Sequence, residues 1–179
     1  SASGDWDGNN GCIFRIQQNG QTEVVSDTSL PFVNGLALHP TEHMLYAALS
    51  NMPGVVRFPI DEQGQLGEQQ HVVDLPHTVP DGLAFDSDGT LYIACYAPDR
   101  IYRLTEAGTL DVLLEDWRHV DLCSPTNIAF YGADLKQLVI GSLSGMNLMS
   151  IEMQITGHPL NYPILPYVGR TPNRDRPAS

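Results

Sequence analysis

The chain has 179 residues, of which 42% are hydrophobic and 17% charged, and it carries a net charge of −12. This composition is that of a globular domain, and the negative charge argues against a nucleic-acid partner because the phosphate backbone would be repelled. No run approaches the ~20 apolar residues of a membrane-spanning helix, so no membrane partner is predicted.

The first predicted element is a hairpin over residues 11–26, with its turn at Gln18-Asn19-Gly20. Apolar and polar residues alternate on both sides of this turn, which is typical of strands with one face in water. No later window shows an apolar stripe of helical period, so we expect almost no helix.

A short motif then recurs three times, with its first residue at positions 34, 81 and 126, and so at spacings of 47 and 45 residues. The copies are Asn34-Gly35-Leu36-Ala37, Asp81-Gly82-Leu83-Ala84 and Thr126-Asn127-Ile128-Ala129. Each is followed by a turn and a second apolar run of strand length. A period of ~40–50 residues built from short strands is the signature of β-propeller blades.

The predicted fold is therefore all-β, with about three and a half four-stranded blades around a central axis. The predicted units are residues 11–26, 31–76, 77–117 and 124–155. Residues 1–158 form the predicted partial propeller, and residues 159–179 an irregular Pro-rich tail.

Propellers usually carry ~4–8 blades, and a partial ring would leave apolar sheet faces open to water. Three solutions stay open: a preceding segment completes the ring, two chains join in a homodimer, or four tight blades close alone. We favour the first and expect this chain to be the C-terminal portion of a longer one.

The second motif, with its continuation to Ala94, resembles the regucalcin, gluconolactonase and luciferin-regenerating enzyme family, as do Gly11–Ile16 and Pro125–Leu138. The resemblance covers about residues 3–158. It implies a six-bladed propeller with one divalent metal on its axis, usually calcium, with zinc, manganese and magnesium as alternatives. It also implies hydrolysis of sugar lactones.

The resemblance implies that Asn34 and Asp81 are metal ligands, and it places a third ligand, a glutamate, before residue 1. The residues themselves support this chemistry, since amide and carboxylate oxygens suit calcium or magnesium. A bound cation would polarise a lactone carbonyl for attack by water, and Asp81 is the predicted general base. Thr126 is the equivalent position in the next blade and a candidate substrate contact.

His77 and Asp121 precede the second and third motifs on loops that could border the axial mouth, as does His119. All three are further candidate substrate-binding residues. His39 and His43 are interpreted as surface turn residues rather than zinc ligands, and Trp6 and Trp117 as blade packing.

The preferred function is thus a calcium-dependent lactonase acting on small lactones or sugar-acid esters. A non-catalytic binding scaffold is the alternative, and a different hydrolysis, such as phosphoester cleavage, is the third. Three cysteines without metal spacing favour the reducing cytoplasm, while the periplasm and secretion stay open. Cys12 and Cys95 are predicted to be buried thiols.

Overall fold

The computed structural model of the chain describes residues 11–26 and 30–160. Every regular element in those two ranges is a β-strand, and they contain no helix long and apolar enough to cross a membrane. The strands are β1 Phe14–Ile16, β2 Thr22–Val24, β3 Val33–Leu38, β4 Met44–Leu49, β5 Gly54–Pro59, β6 Gln70–Asp74, β7 Pro80–Phe85, β8 Leu91–Tyr96, β9 Asp99–Leu104, β10 Leu110–Glu115, β11 Pro125–Tyr131, β12 Gln137–Ser142 and β13 Met149–Glu152.

The strands form four antiparallel sheets in which neighbours in sequence are neighbours in space. Two sheets have four strands, β3-β4-β5-β6 and β7-β8-β9-β10, and they lie between the pair β1-β2 and the three-stranded β11-β12-β13. Short turns make this meander possible, as at Gly89, whose φ of 79° closes the β7–β8 turn. The predicted units of the fold are confirmed.

Three apolar cores lie between successive sheets, and the middle strands supply side chains to the cores on both of their faces. In β4, Tyr46 and Ala48 enter one core while Ala47 and Leu49 enter another. Because adjacent strand residues point to opposite faces, a strand covered on both sides must be apolar throughout. Sheets stacked face to face in this way are propeller blades.

The strand β8 shows how complete this covering is. Its residues Leu91 to Cys95 are all buried, and Ile93 is fully inaccessible. Burying a side chain of this size contributes about 1.5–3 kcal/mol. Leu91, Ile93 and Cys95 pack toward the preceding sheet, and Tyr92 and Ala94 toward the following one.

The structure corrects two details of the predicted strands and thiols. The sequence predicts a last strand over residues 146–151, and in the structure this strand begins at Met149. Cys12 is exposed and lies two residues before β1, so its predicted burial was wrong. Cys95 is buried in β8 as expected, and burial raises the pKa of its thiol to about 12.

After β13 the chain crosses back to the preceding sheet. Gly157 pairs with Asp86 as an isolated antiparallel bridge, and the His158 amide donates to the Phe85 carbonyl oxygen over 2.9 Å. Most of the predicted Pro-rich tail, residues 161–179, lies outside the described residues, as does Trp6.

Candidate functional site

The recurring motif coincides with a β-bulge at the start of each innermost strand. The pairing of β3 with β4 shifts between Val33 and Leu36, and the pairing of β7 with β8 shifts between Pro80 and Leu83. The third copy shifts between Pro125 and Asn127. Bulges bend the strand and redirect a side chain, and they are frequent beside active sites.

The three innermost strands meet at their bulges. A methyl group added at Gly35 would overlap the carbonyl oxygen of Asp81, and one added at Gly82 would lie 2.8 Å from the carbonyl oxygen of Thr126. The glycines therefore permit backbone contact between neighbouring blades. The strand starts that carry Asn34, Asp81 and Thr126 are consequently adjacent in the fold, in the order of the sequence.

A serine that the repeated motif does not include orients Asn34. The Ser50 hydroxyl donates to the Pro80 carbonyl oxygen over 2.7 Å. Its oxygen accepts a longer hydrogen bond, 3.4 Å, from the Asn34 amide nitrogen. Since the nitrogen of the amide faces Ser50, the Asn34 amide oxygen is left for another partner.

Asp81 is half-buried, and burial raises the pKa of its carboxyl above the ordinary value. No charged or hydrogen-bonding group among the described residues offsets this effect. A carboxylate in such surroundings is stabilised by an approaching cation.

Asn34 and Asp81 could thus hold a metal with one amide and one carboxylate oxygen. Calcium takes ~6–8 oxygen ligands, so waters or other groups would have to complete the shell. Within residues 11–26 and 30–160, no group of three or more His, Cys, Asp or Glu side chains is arranged to hold a metal. The side-chain oxygens of Asn34 and Asp81 suit a hard divalent cation, but two residues supply too few ligands to complete its coordination shell.

Three further residues, Thr126, His77 and Asp121, are predicted substrate contacts. The Thr126 hydroxyl faces the Gly141 carbonyl oxygen over 3.5 Å, at the limit of a hydrogen bond. His77 is exposed in the β6–β7 loop with a φ of 62°, and Asp121 is exposed in the β10–β11 loop. The backbone amide of Asp121 donates to the Asp116 carboxylate over 2.6 Å.

His39 and Trp117 differ in solvent exposure from what the sequence predicts. His39 is buried rather than superficial, in contact with Phe85 and Tyr46, and its Nδ1 accepts the Glu42 amide over 3.1 Å. This ring nitrogen organises the turn. Trp117 is 84% exposed, so its predicted role in blade packing was wrong.

Most of the chain matches a known protein family. Residues 2–144 match the SMP-30/Gluconolactonase/LRE-like region. The chain is 32% identical over 140 residues to the 6-deoxy-6-sulfogluconolactonase of Pseudomonas putida, a match that covers 76% of this chain and 46% of that protein. The chain thus spans about half the length of the relative.

Solved structures show the same fold. The regucalcin of Agrobacterium tumefaciens, named a calcium-binding protein, superposes with a TM-score of 0.68 at 17% identity, over 88% of this chain and 56% of that one. A gluconolactonase of Xanthomonas campestris superposes with a TM-score of 0.65 at 22% identity, over 79% and 44%. The chain belongs to the SMP-30/gluconolactonase/LRE-like family.

Proposed function

We propose that this chain is part of a hydrolase of small lactones that depends on a divalent cation, with calcium as the preferred ion and zinc, manganese and magnesium as alternatives. The proposal rests on the half-buried Asp81 carboxylate, whose pKa is raised by burial and is not lowered again by any described residue. The start of the strand that carries Asp81 contacts the start of the strand that carries Asn34. The match to the lactonase of Pseudomonas putida supports the substrate class.

In this proposal Asn34 and Asp81 hold the cation through their side-chain oxygens. The bound cation supplies Lewis-acid polarisation of the lactone carbonyl and charge stabilisation of the oxygen that becomes negative. Remaining ligands come from water and from groups outside the described residues, either a preceding segment of the chain or a second copy of it. We also propose that the protein is cytoplasmic and that this preceding segment or second copy completes the propeller ring.

Asp81 also acts as general base. Water adds to the lactone carbonyl carbon as Asp81 takes one of its protons, and the ring C–O bond then breaks. The proton passes to the departing alkoxide, so that lactone and water give one hydroxy acid. Thr126, His77 and Asp121 are the proposed contacts to substrate hydroxyl groups.

A calcium titration of the melting temperature tests the cation site. A ligand that binds only the folded protein stabilises it by about 2.7 kcal/mol at 100 times its Kd. We expect the melting temperature of the wild type to rise with calcium and that of Asp81→Asn to stay constant. Asp88→Asn, which changes an exposed turn carboxylate, is the matched control and should respond like the wild type. An equal rise in Asp81→Asn removes the cation site from the proposal.

Hydrolysis of gluconolactone, followed by acid release, tests the reaction. Activity that requires added calcium and disappears in Asp81→Asn supports the lactonase. A calcium-dependent rise in melting temperature without hydrolysis favours the alternative, a non-catalytic binding scaffold. That alternative is favoured by the incomplete donor set within the described residues.

A further inference from the structure

A chain of three hydrogen-bonded side chains lies at the β10–β11 loop, apart from the residues proposed to hold the cation. The Asp99 carboxylate is 2.7 Å from Nδ1 of His119. On the other side of the ring, Nε2 of His119 is 3.0 Å from the Ser144 hydroxyl oxygen. The residues come from three different segments: the start of β9, the β10–β11 loop and the segment after β12.

The hydrogen bonds assign the protons of this chain. Asp99 is buried, with 7% of its side chain exposed, and its Oδ2 also accepts the Ser124 amide over 3.0 Å. An ionised carboxylate only accepts, so the proton of a neutral His119 is on Nδ1. Nε2 then carries a lone pair and can accept the proton of the Ser144 hydroxyl.

The loop that carries His119 is held in place by a second carboxylate. Asp116 accepts the backbone amides of Val120, Asp121 and Leu122 at 2.6, 2.6 and 3.0 Å. These bonds, the one from Asp121 foremost, lower the pKa of Asp116. His119 keeps a φ of 57°, a left-handed conformation that non-glycine residues adopt mainly where surrounding contacts enforce it.

Ser144 is fixed against the same loop. Its amide donates to the Cys123 carbonyl oxygen over 3.2 Å. Its hydroxyl also lies 3.0 Å from that oxygen and 3.3 Å from the Ser124 hydroxyl, so the single hydroxyl proton has acceptors besides His119. Rotation of the hydroxyl hydrogen toward Nε2 is enough to form the arrangement that activates a serine nucleophile.

We propose that Ser144 is a nucleophile activated by His119 and Asp99, and that it forms acyl or phosphonyl adducts with activated esters. Ser144 is exposed and so accessible to such a molecule. The two loops around it also expose large apolar side chains, which favours esters with an apolar acyl group. These side chains are Trp117, Val120, Leu143 and Met146, each at least 60% exposed.

The reaction needs only the ester and water. The Ser144 oxygen bonds to the ester carbonyl carbon while its proton moves to Nε2 of His119. The bond to the alcohol breaks, and the alcohol leaves with that proton. Water then attacks the acyl carbon and gives a proton to Nε2. The acyl–Ser144 bond breaks, and the serine oxygen recovers the proton, so that ester and water give acid and alcohol.

A fluorophosphonate probe tests the nucleophile directly, because the serine–phosphorus bond forms as fluoride leaves. We expect mass spectrometry to find the adduct on Ser144 in the folded wild type and none at this site in Ser144→Ala. His119→Asn should label at least ~100-fold more slowly, as expected for loss of a general base. Asparagine tolerates the left-handed backbone of position 119, so this variant should fold.

Two further measurements separate activation of Ser144 from general serine reactivity and from metal-dependent chemistry. Ser150→Ala, which removes another exposed serine, is the matched control and should label like the wild type. A chelator should leave labelling of the wild type unchanged, so the result does not depend on the proposed lactonase. Absence of the adduct in folded wild type, equal labelling of His119→Asn, or loss of labelling on chelation would each overturn the proposal.

Discussion

The Ser50 hydroxyl joins two neighbouring sheets by donating a 2.7 Å hydrogen bond to the Pro80 carbonyl oxygen, one residue before Asp81. The same hydroxyl oxygen accepts the Asn34 amide. One side chain thus spans the two strand starts on which the proposed cation site depends.

Ser50→Ala should weaken cation binding as well as stability. Removal of the hydroxyl leaves the Asn34 amide without its orienting acceptor, and loss of such outer partners typically costs ~10–100-fold in metal affinity. The lost hydrogen bond should lower the free energy of unfolding by about 1 kcal/mol. Calorimetric titration with calcium measures the first effect and urea unfolding the second. Ser87→Ala, at an exposed turn, should change neither; unchanged affinity in Ser50→Ala would show that the amide needs no such support.

Gly35→Ala should destabilise the protein because the added methyl group overlaps the Asp81 carbonyl oxygen. Overpacking of this kind typically costs about 1–3 kcal/mol. Gly141→Ala is the matched control, since its methyl group would approach nothing closer than the Asn127 carbonyl oxygen at 3.8 Å. We expect the control to lie within ~0.5 kcal/mol of the wild type in urea unfolding. Similar losses in both variants would argue against close contact between β3 and β7.

The pH dependence of the free energy of unfolding should reflect the raised pKa of Asp81. Its pKa in the folded state is raised by burial, so the folded state binds the proton more tightly than the unfolded state. The resulting stability is present below the unfolded pKa and is lost as pH rises through the folded pKa. In the presence of a chelator, Asp81→Asn should therefore lose less stability than the wild type across this acidic range. Parallel melting curves of the two proteins at every pH would contradict the shift.

Tyr92→Phe should be costly because the Tyr92 hydroxyl donates to Asp86, which is 2% exposed, over 3.0 Å. Burial and the neighbouring Asp86 charge raise the pKa of Tyr92, so the hydroxyl keeps its proton. Loss of a hydrogen bond to a buried charge costs about 1.5–3 kcal/mol. Tyr131→Phe removes an exposed hydroxyl and should cost less than ~0.5 kcal/mol. Equal losses in urea unfolding would mean that Asp86 finds another donor.

The blades could be predicted from the sequence because the apolar runs and turns that specify them are local sequence features. Runs such as Leu91–Cys95 are apolar throughout, which a strand covered on both faces requires, and turn residues separate them at a regular spacing. The repeated glycines pointed to equivalent positions, and the structure shows why they are needed: Gly35 and Gly82 lie against the backbone of the next blade.

The Asp99, His119 and Ser144 chain could not be predicted, since no spacing relates an aspartate that starts a strand to a serine 45 residues later. The loop shape that joins them depends on Asp116, whose role requires the folded backbone. Ser50 was missed for the same reason, because its partners lie on other strands. Cys12 was misplaced because an apolar neighbourhood in sequence does not say where a strand begins.

The return of the chain to β7 has a mechanical consequence. The last two sheets are joined at one end by the β10–β11 loop and near the other by the Gly157–Asp86 bridge. These two connections resist hinge bending between the β7–β10 and β11–β13 sheets. Native-state amide exchange should therefore show β7 to β13 opening together, as a single cooperative unit.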